Sequence, residues 1–469
     1  MTTLAVDIRQ ISPQTDARSS AGTIHDLAHS PHSTAADFAA APLPGSMKAI
    51  VLLRKDETKL RSIPIEQRDL RKSLHHADVT VPEPDGGEVL VAVMAASLNF
   101  NGVWSALHEP MSPFHYLSQF ARLEPGNAKH NLDYQIIGSD AAGIVVRVGA
   151  GVTNCRPGDR VVIHPGVVSG VSVTAYHDAV QDESCRAWGF ETNFGALAEF
   201  CLVRANQIMP KPAHLTWEEA ASLPLVNETV YRMLISQNGA RMRLGESVLI
   251  WGATGGLGSL AIQYALRAGA WPIAVVSSPD KAALVRRLGC EAVIDRSAEG
   301  YVFIKADGQP NLRDLVRFRK KVQSLNGGRD PEIVFEHTGR ETFAASVFVA
   351  AHGGRVVTCG STTGYSHQYD NRYLWMHVKS IIGSHGATYH EAWKANDLVC
   401  KGLIHPVLSE TYPLERAARG IERMRQNRHV GKIGVLCLAD RAGLGVEDSA
   451  MRQRVGEDHL SLFQGGIPT

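Results

Sequence analysis

The sequence predicts an α/β protein built from a β-rich domain and a second domain with a doubly wound parallel sheet. Two observations carry this prediction. Short strand-like segments separated by Gly and Pro turns dominate the first part of the chain, and from Leu215 onward strand-like and helix-like segments alternate. Such alternation is typical of a parallel sheet covered by helices on both faces. The chain of 469 residues is long enough for about two or three domains.

The β-rich domain is predicted for residues 47–225 and 405–469, where the apolar stretches are short, rich in valine and bounded by turn residues. Residues 1–46 are rich in Ser, Thr, Ala, Asp, His and Pro, so we expect a partly ordered extension there. The strands of the β-rich domain are expected at residues 47–53, 88–98, 138–149 and 160–163.

The doubly wound domain is predicted for residues 226–404. Thr216 and Glu219 have the spacing of a capping box just before it. Pro279 is placed to open a helix, where a missing N–H costs nothing. The strands of this domain are expected at residues 248–251, 273–276, 292–294, 333–335, 355–358 and 380–382.

Composition argues against several classes of protein. Lys plus Arg number 48 and Asp plus Glu 47, giving a formal charge of +1, so no nucleic-acid partner is expected. No apolar run approaches the roughly 18 residues of a membrane span, so no membrane partner is expected. The seven cysteines include no Cys-x-x-Cys pair, which argues against a disulfide framework or a zinc knuckle and favours a reducing, cytoplasmic location.

A glycine-rich loop follows the first strand of the doubly wound domain. Gly255, Gly256 and Gly258 lie between that strand and a helix expected to run to Ala268. Glycines at these positions let backbone amides approach a pyrophosphate, and the start of the helix favours negative charge. The context favours a bound dinucleotide over the alternative, an ordinary tight turn.

The end of the next strand distinguishes NADPH from NADH. An NAD-dependent enzyme usually has Asp or Glu there for the ribose 2′-hydroxyl. This chain has Ser277 and Ser278 instead, followed by Lys281 and, after the next strand, Arg296. These donors and cations suit a 2′-phosphate and predict NADPH. The alternative is that Ser277 caps a helix and Lys281 is a solvated side chain.

No metal site is expected. A zinc-dependent alcohol dehydrogenase of this architecture has a Gly-His-Glu segment and four clustered cysteines. This chain has Gly138, Ser139 and Asp140 at the matching place, and its cysteines are dispersed. Without a Lewis acid, reduction of an isolated carbonyl is disfavoured. A conjugated C=C bond is the better substrate, because its own carbonyl takes up the developing charge.

These motifs, with the Arg-Pro-Gly-Asp turn at residues 156–159, resemble those of the medium-chain dehydrogenase/reductases. From about Ala49 to about Gly445 the chain resembles the crotonyl-CoA carboxylase/reductase branch of that superfamily. The resemblance implies a GroES-like catalytic domain, a Rossmann domain for NADPH, and a homo-oligomer, expected to be a tetramer. The segments that carry the resemblance are 188–195 (WGFETNFG), 295–301 (DRSAEGY), 335–343 (FEHTGRETF), 369–376 (YDNRYLWM) and 383–385 (GSH).

The resemblance implies an activity on an acyl-CoA substrate and CO2. The family transfers a hydride from NADPH to the β-carbon of an α,β-unsaturated acyl-CoA, and the resulting enolate attacks CO2 to give an alkylmalonyl-CoA. Water protonates an enolate readily, so the enzyme must hold CO2 beside the α-carbon and keep proton donors away.

The resemblance also places the CO2 pocket at Asn101, Phe190, Glu191 and His385. Asn101 and His385 would polarise the two oxygens of CO2. Phe190 would contribute its backbone and an apolar wall, and Glu191 would orient His385 directly or through water. Taken singly, each has a structural alternative: a turn-forming Asn, a solvated Glu or a core imidazole.

The chain departs from the family pattern at Phe100, where Tyr is usual, at Gly386, where Phe is usual, at Thr388, where Asn is usual, and at Ala179, where Thr is usual. Replacing Phe by Gly removes a volume on the order of 100 Å³. Gly386 and Ala179 therefore predict a pocket for acyl chains longer or more branched than crotonyl. The alternative is that another side chain fills the gap.

Other assignments stay open at this stage. Arg372 and Tyr373 are candidate CoA anchors, as a bidentate cation and a stacking ring, with packing as the alternative. One rival function is a simple NADPH-dependent enoyl-CoA or quinone reductase, which predicts loss of a CO2-pocket residue. Another is a non-catalytic NADPH-binding protein, which predicts a damaged glycine loop. The chain keeps both sets of residues.

Overall fold

The computed structural model describes residues 18–30 and 32–466. The strands, in chain order, are β1 Ser46–Leu53, β2 His75–Thr80, β3 Glu88–Ser97, β4 Tyr134–Ile136, β5 Ala141–Val148, β6 Arg160–Ile163, β7 Gly166–Val167, β8 Arg186–Ala187, β9 Phe200–Arg204, β10 Ile208–Pro210, β11 Ser247–Ile250, β12 Trp271–Val276, β13 Ala292–Asp295, β14 Ile333–Glu336, β15 Arg355–Thr358, β16 Ser380–Gly383, β17 Leu408–Pro413 and β18 Lys432–Leu436.

The α-helices are α1 Arg18–His29, α2 Ala35–Ala40, α3 Glu57–Arg61, α4 Phe100–Leu107, α5 Pro113–Leu123, α6 Val173–Asp178, α7 Trp217–Ala221, α8 Pro224–Leu234, α9 Gly256–Arg267, α10 Pro279–Arg287, α11 Leu312–Leu325, α12 Phe343–Val349, α13 Arg372–Trp375, α14 Tyr389–Cys400, α15 Ala417–Arg425, α16 Ser449–Val455 and α17 Glu457–Leu460.

Strand β3 is the centre of the β-rich part. Every residue of β3 after Glu88 is buried, because the strand pairs antiparallel with β5, β9 and β18. Its sheet has the order β10-β6-β5-β3-β18-β17, with β9 also on β3. Strands β17 and β18 come from the end of the chain, which therefore returns to this sheet after the second domain. The domain bounds given above remain a proposal.

The second sheet is parallel throughout and has the order β13-β12-β11-β14-β15-β16. The strand order reverses between β11 and β14, which is the switch point of a Rossmann sheet, where ligands bind beyond the carboxyl ends of the strands. The glycine loop leaves β11 at this point and leads into α9. The predicted α/β fold class is confirmed.

Two predicted helix starts are also confirmed. The Thr216 hydroxyl accepts a hydrogen bond from the Glu219 amide, and the Glu219 carboxylate accepts one from the Thr216 amide. Pro279 is the first residue of α10. The cap of that helix is Ser278, whose hydroxyl accepts from the Lys281 amide. The alternative that named Ser277 as the cap is therefore wrong by one residue.

The strand expected to begin at Gly138 begins at Ala141 instead. Gly138 has a φ of +109°, and a Cβ there would lie 2.8 Å from the backbone nitrogen of Leu197. This close approach takes Gly138 out of the extended conformation. Ser139 and Asp140 consequently lie in the loop before β5, and both side chains are buried.

Both ends of the described chain pack onto the β-rich part. Ile24 of α1 is 0% exposed and Phe38 of α2 is 4% exposed. The C-terminal segment buries Leu460 and Phe463. The prediction for residues 1–17 lies outside the described residues. Within residues 18–30 and 32–466, no helix is both long enough and apolar enough to cross a membrane.

Candidate active site

A cavity of about 490 Å³ lies between the carboxyl ends of the parallel strands and the β-rich part of the chain. Its wall includes residues that follow β11, β12, β14, β15 and β16, facing residues of α4 and the loops around β7 and β8. Nine residues predicted for the site line it: Asn101, Phe190, Gly255, Gly256, Ser277, Lys281, Arg296, His385 and Gly386.

The glycine loop has the geometry of a dinucleotide site. A Cβ on Gly258 would lie 2.4 Å from the carbonyl oxygen of Gly252, so only glycine lets α9 pack this close to the loop. A Cβ on Gly256 would lie 2.9 Å from the side chain of Lys432. Gly255 is the N-cap of α9. The loop therefore presents bare backbone at the start of a twelve-residue helix, as a pyrophosphate requires.

Two cations lie near each other beyond the carboxyl ends of β12 and β13. The Lys281 ammonium lies 3.2 Å from the Ser277 hydroxyl. Burial lowers the pKa of Lys281, and the nearby positive charge of Arg296 lowers it further. The Arg296 guanidinium lies 3.4 Å from a carboxylate oxygen of Glu341, and both side chains are partly exposed. Two partly buried cations in this arrangement favour an anion between them, so Lys281 is not the solvated side chain of the alternative.

The Asn101 side chain is held in place by Ser139. The sequence analysis named Ser139 only because it stands where a zinc-dependent relative has a metal ligand. The Asn101 side-chain nitrogen donates to the Ser139 hydroxyl at 2.8 Å, and that hydroxyl donates to the Trp188 carbonyl at 2.6 Å. This chain of hydrogen bonds fixes the orientation of the Asn101 amide. One N–H and the carbonyl oxygen of that amide remain available to a ligand in the cavity.

Asp140 is paired with an ammonium group. Its carboxylate is 0% exposed, and one oxygen lies 3.0 Å from the Lys432 nitrogen and accepts from Asn99 at 2.8 Å. The other oxygen accepts from the Leu225 amide. Burial lowers the pKa of Lys432, and the Asp140 charge opposes that shift. The positive charge beside the Asp140 carboxylate is thus the ammonium group of Lys432.

Phe190 forms an apolar wall, but its backbone is already used. The Phe190 amide donates to the Ala187 carbonyl at 3.2 Å, and the Phe190 carbonyl accepts from Gln135 at 2.9 Å. The ring packs near Trp104 and Tyr116, with centroid distances of 6.4 and 5.5 Å. The expectation that the Phe190 backbone contacts CO2 is therefore not supported by this geometry.

Glu191 and His385 are not directly joined. One carboxylate oxygen of Glu191 accepts from the Ala187 amide at 2.8 Å, and Glu191 does not line the cavity. His385 lines the cavity and is exposed. Among the described hydrogen bonds none connects the two side chains, so the direct form of the predicted orientation is absent. Orientation through water remains a prediction.

The acyl side of the cavity is open at Gly386. This residue has a φ of +51°, and a Cβ there would meet no heavy atom within 4 Å. The position that a Cβ of residue 386 would take is therefore open, and a longer acyl chain in this space stays a prediction. Ala179 does not line the cavity, whereas Val180 and Ala187 do. The expected contact of Ala179 with the acyl tail is thus not supported, and the small residue of this segment that lines the cavity is Ala187.

Three further predicted positions are occupied by structural contacts. Thr388, which departs from the family pattern, caps α14 by accepting from the Glu391 amide. The Arg372 guanidinium pairs with Asp370 at the surface, at 2.6 Å. The Tyr373 ring packs edge-on against Phe348, with centroids 4.6 Å apart. Neither Arg372 nor Tyr373 lines the cavity, so within one chain the packing alternative describes Tyr373 better than the role of CoA anchor.

The sequence analysis did not identify a buried pair beside the cavity, His164 and Glu228. His164 Nδ1 lies 2.7 Å from a carboxylate oxygen of Glu228, and both side chains are 2% exposed. Burial raises the pKa of Glu228 to about 7, and the His164 imidazole opposes that shift. Glu228 lines the cavity. The two residues are far apart in sequence and belong to no motif, so no local signal could have paired them.

Comparisons with known proteins agree with this geometry. Residues 85–213 match the family described as "Alcohol dehydrogenase GroES-like domain", and residues 256–400 match "Zinc-binding dehydrogenase". A crotonyl-CoA reductase of Streptomyces collinus is 54% identical over 430 residues, covering 92% of this chain and 96% of the relative. A crotonyl-CoA carboxylase/reductase of Cereibacter sphaeroides is 39% identical over 389 residues, covering 78% of this chain and 84% of the relative.

This chain belongs to the crotonyl-CoA carboxylase/reductase family.

A solved structure of that family has the same fold. The 2-octenoyl-CoA carboxylase reductase CinF from a Streptomyces species, in complex with NADP and 2-octenoyl-CoA, superimposes with a TM-score of 0.89 at 48% identity. The match covers 92% of this chain and 97% of CinF. By comparison, a quinone oxidoreductase of Rattus norvegicus is 27% identical over 368 residues. The rival interpretation as a quinone reductase therefore has the weaker support.

The name of the second matched family refers to zinc, but the match begins at residue 256. Ser139 and Asp140, which stand at the place of the zinc ligands, lie outside it. In this crotonyl-CoA carboxylase/reductase family member the same two residues orient Asn101 and pair with Lys432. Both side chains are buried, and each contacts a residue that lines the cavity, Asn101 or Lys432.

Proposed function

We propose that this protein catalyses the NADPH-dependent reductive carboxylation of an α,β-unsaturated acyl-CoA to an alkylmalonyl-CoA. The observation that carries the proposal is that Asn101, Phe190 and His385 line the same cavity as the glycine loop. A simple reductase has no need of a fixed amide facing the cavity. Membership of a family whose named members include a carboxylase/reductase supports the same activity.

The residues around the glycine loop fit NADPH, which when bound supplies a hydride to the β-carbon of the substrate. Gly255, Gly256 and Gly258 leave room for its pyrophosphate. Ser277, Lys281 and Arg296 line the end of the cavity where a 2′-phosphate fits. Ser278 contributes by capping α10, which holds Lys281 in place, and does not itself line this cavity.

The proposed CO2 site has to bind CO2 and to exclude water. Asn101, held by Ser139, donates one N–H toward a CO2 oxygen, and His385 lies on the same wall as a second donor. The rings of Phe100, Trp104 and Phe190 pack along this wall and keep water away from the α-carbon. Because water is the competing proton source, this exclusion favours carboxylation over protonation.

The preferred acyl chain is proposed to be longer than crotonyl. Gly386 leaves open space beside His385, and the small Ala187 also lines the cavity. CinF, which is similar to this chain over nearly its whole length, is a 2-octenoyl-CoA carboxylase reductase. A medium-length, unbranched enoyl-CoA is consistent with both observations.

The activity is tested by following NADPH oxidation with 2-octenoyl-CoA in the presence and absence of bicarbonate, with the product identified by mass. We expect alkylmalonyl-CoA as the main product when bicarbonate is saturating. A simple enoyl-CoA reductase would give the saturated acyl-CoA under both conditions. A non-catalytic NADPH-binding protein would oxidise no NADPH with any enoyl-CoA.

The cofactor preference is a separate prediction. Each charge-assisted contact to the 2′-phosphate contributes about 1.5–3 kcal/mol, so we expect kcat/KM for NADPH to exceed that for NADH by more than roughly tenfold. Lys281→Ala is expected to erase most of the preference by raising the KM for NADPH. The control, Lys320→Ala, alters an exposed lysine of α11. Equal kcat/KM for the two cofactors in the unmodified protein would contradict the assignment.

A homo-oligomer, with a tetramer as the expected form, is also proposed. Strand β16 is an edge of the parallel sheet, and Ile381 on it is exposed. Trp375, Met376 and Val378 beside it are 64%, 58% and 68% exposed. An apolar, unpaired sheet edge favours pairing with a second copy. The molar mass in solution tests this, and a monomer would contradict it.

A further inference from the structure

We propose that His25, His29 and Asp440 form a binding site for a divalent transition metal of the zinc class. The three residues come from α1 and from the segment that follows β18, and none of them lines the cavity. Each offers one ligand atom, and these atoms lie within 4.8 Å of one another. Neither the proposed catalytic function nor the resemblance to the family involves this site.

The helix places both imidazoles on one side. Residues four apart lie on the same face of an α-helix, and the His25 and His29 ring centroids are 4.3 Å apart. The neighbouring stripe of α1 is apolar, with Ile24 0% and Ala28 7% exposed. Burial of that stripe fixes the rotation of the helix. The two histidines are therefore directed toward Asp440 before any ligand binds.

The hydrogen bonds select the nitrogen that faces the site. His29 Nδ1 lies 2.8 Å from the His25 carbonyl oxygen, which can only accept, so Nδ1 carries the proton. In the neutral ring, Nε2 then carries the lone pair, and the backbone N–H of Asp440 lies 3.5 Å from it. A backbone carbonyl often holds the other ring nitrogen of a metal-bound histidine in this way.

A carboxylate oxygen also lies near His29 Nε2. Asp440 Oδ2 lies 3.5 Å from it, and Asp440 Oδ1 lies 2.7 Å from His25 Nε2. A metal ion among these three atoms would bind both imidazoles and the carboxylate, in place of the long contact from the Asp440 amide to His29. A site with two imidazoles and one carboxylate suits Zn²⁺ and its neighbours, with water completing the coordination, and suits Mg²⁺ or Ca²⁺ poorly.

The side chains are accessible to an ion from solution. The exposed fractions are 32% for His25, 21% for His29 and 60% for Asp440. A metal here would link α1 to the segment after β18, which are more than four hundred residues apart in the chain. Since a ligand that binds only the folded state stabilises it, metal binding would strengthen the docking of the N-terminal helix.

The experiment uses the full chain without an affinity tag, stripped of metal and titrated with Zn²⁺ against a chromophoric chelator. We expect one site per chain in the micromolar range, weakened at least tenfold by His29→Ala and by Asp440→Asn. The matched control His32→Ala, an exposed histidine outside the trio, is expected to bind as the unmodified chain does. Mg²⁺ at a large excess is expected not to compete.

Thermal unfolding provides the second measurement. Zn²⁺ is expected to raise the Tm of the unmodified chain and of His32→Ala, but not that of His29→Ala. Asp440 is mostly exposed, so Asp440→Asn keeps the fold and separates loss of the ligand from unfolding. Zn²⁺ affinity that is equal in all variants would place the metal elsewhere, for example on a cysteine. If the unmodified chain bound no measurable Zn²⁺, the three residues would serve only as a His–Asp contact between α1 and the segment after β18. Either result would overturn the proposal.

Discussion

Asn101→Ala is expected to divert the product from alkylmalonyl-CoA to the saturated acyl-CoA while NADPH oxidation continues. The Asn101 amide lines the cavity, and its orientation is fixed by its hydrogen bond to Ser139, whose hydroxyl in turn donates to the Trp188 carbonyl. Removing it takes away one hydrogen bond to CO2, worth about 1–2 kcal/mol. The product ratio should therefore fall roughly tenfold. The measurement is the ratio of the two products at saturating bicarbonate, together with the rate of NADPH oxidation.

Ser139→Ala tests the orientation of the Asn101 amide separately from its contact with CO2. It leaves the Asn101 amide in place but removes the partner that holds it, so we expect a smaller shift of the product ratio in the same direction. Glu191→Gln and His385→Ala are also expected to lower the ratio. Asn154→Ala, at an exposed asparagine, is the matched control. If all variants lost both products in proportion, Asn101 would act in hydride transfer or in folding rather than in placing CO2.

Gly386→Phe is expected to reverse the chain-length preference. In the unmodified enzyme the longer tail of 2-octenoyl-CoA buries extra methylenes, each worth about 0.8 kcal/mol when fully desolvated. After ordering losses, kcat/KM should favour 2-octenoyl-CoA over crotonyl-CoA by roughly ten- to hundredfold. A phenyl ring in the open space next to Gly386 would occupy that volume. The measurement is kcat/KM for a series of enoyl-CoAs with both enzymes.

The Gly386→Phe variant needs a control for backbone strain, because Gly386 has a positive φ. A φ of +51° costs a non-glycine residue roughly 1–2 kcal/mol, so part of any loss in Gly386→Phe comes from strain. Gly386→Ala carries the same strain with little added volume and should keep the preference for the longer chain. Ala187→Leu narrows the same cavity at a residue without a positive φ. An optimum at crotonyl-CoA in the unmodified enzyme would show that the opening does not hold the acyl tail.

Local patterns in the sequence accounted for the secondary structure around the nucleotide site. Strand β15 has the predicted bounds, and α10 begins at the predicted proline. The glycine loop is equally local, because backbone amides can approach a phosphate only where consecutive residues lack side chains. Lys281 and Arg296 follow successive strands of the parallel sheet, so their proximity was predictable once the alternation of strands and helices was recognised.

The CO2 pocket was predicted less completely. Asn101, Phe190 and His385 line one cavity as the resemblance implied. The backbone of Phe190 is taken up by Ala187 and Gln135, a property that no motif encodes. Glu191 bonds within its own turn instead of to His385. These details depend on how loops from distant parts of the chain pack together.

The sequence by itself determined the fold class, the dinucleotide loop and the family, because periodicity and glycine spacing are local properties of the chain. Only the tertiary structure decided which residues meet across long separations. It placed Ser139 against Asn101, Ala187 rather than Ala179 in the lining of the cavity, and His25 and His29 opposite Asp440. The physical reason is that such contacts depend on the path of the whole chain and on which side chains are buried together, and local conformational preference specifies neither.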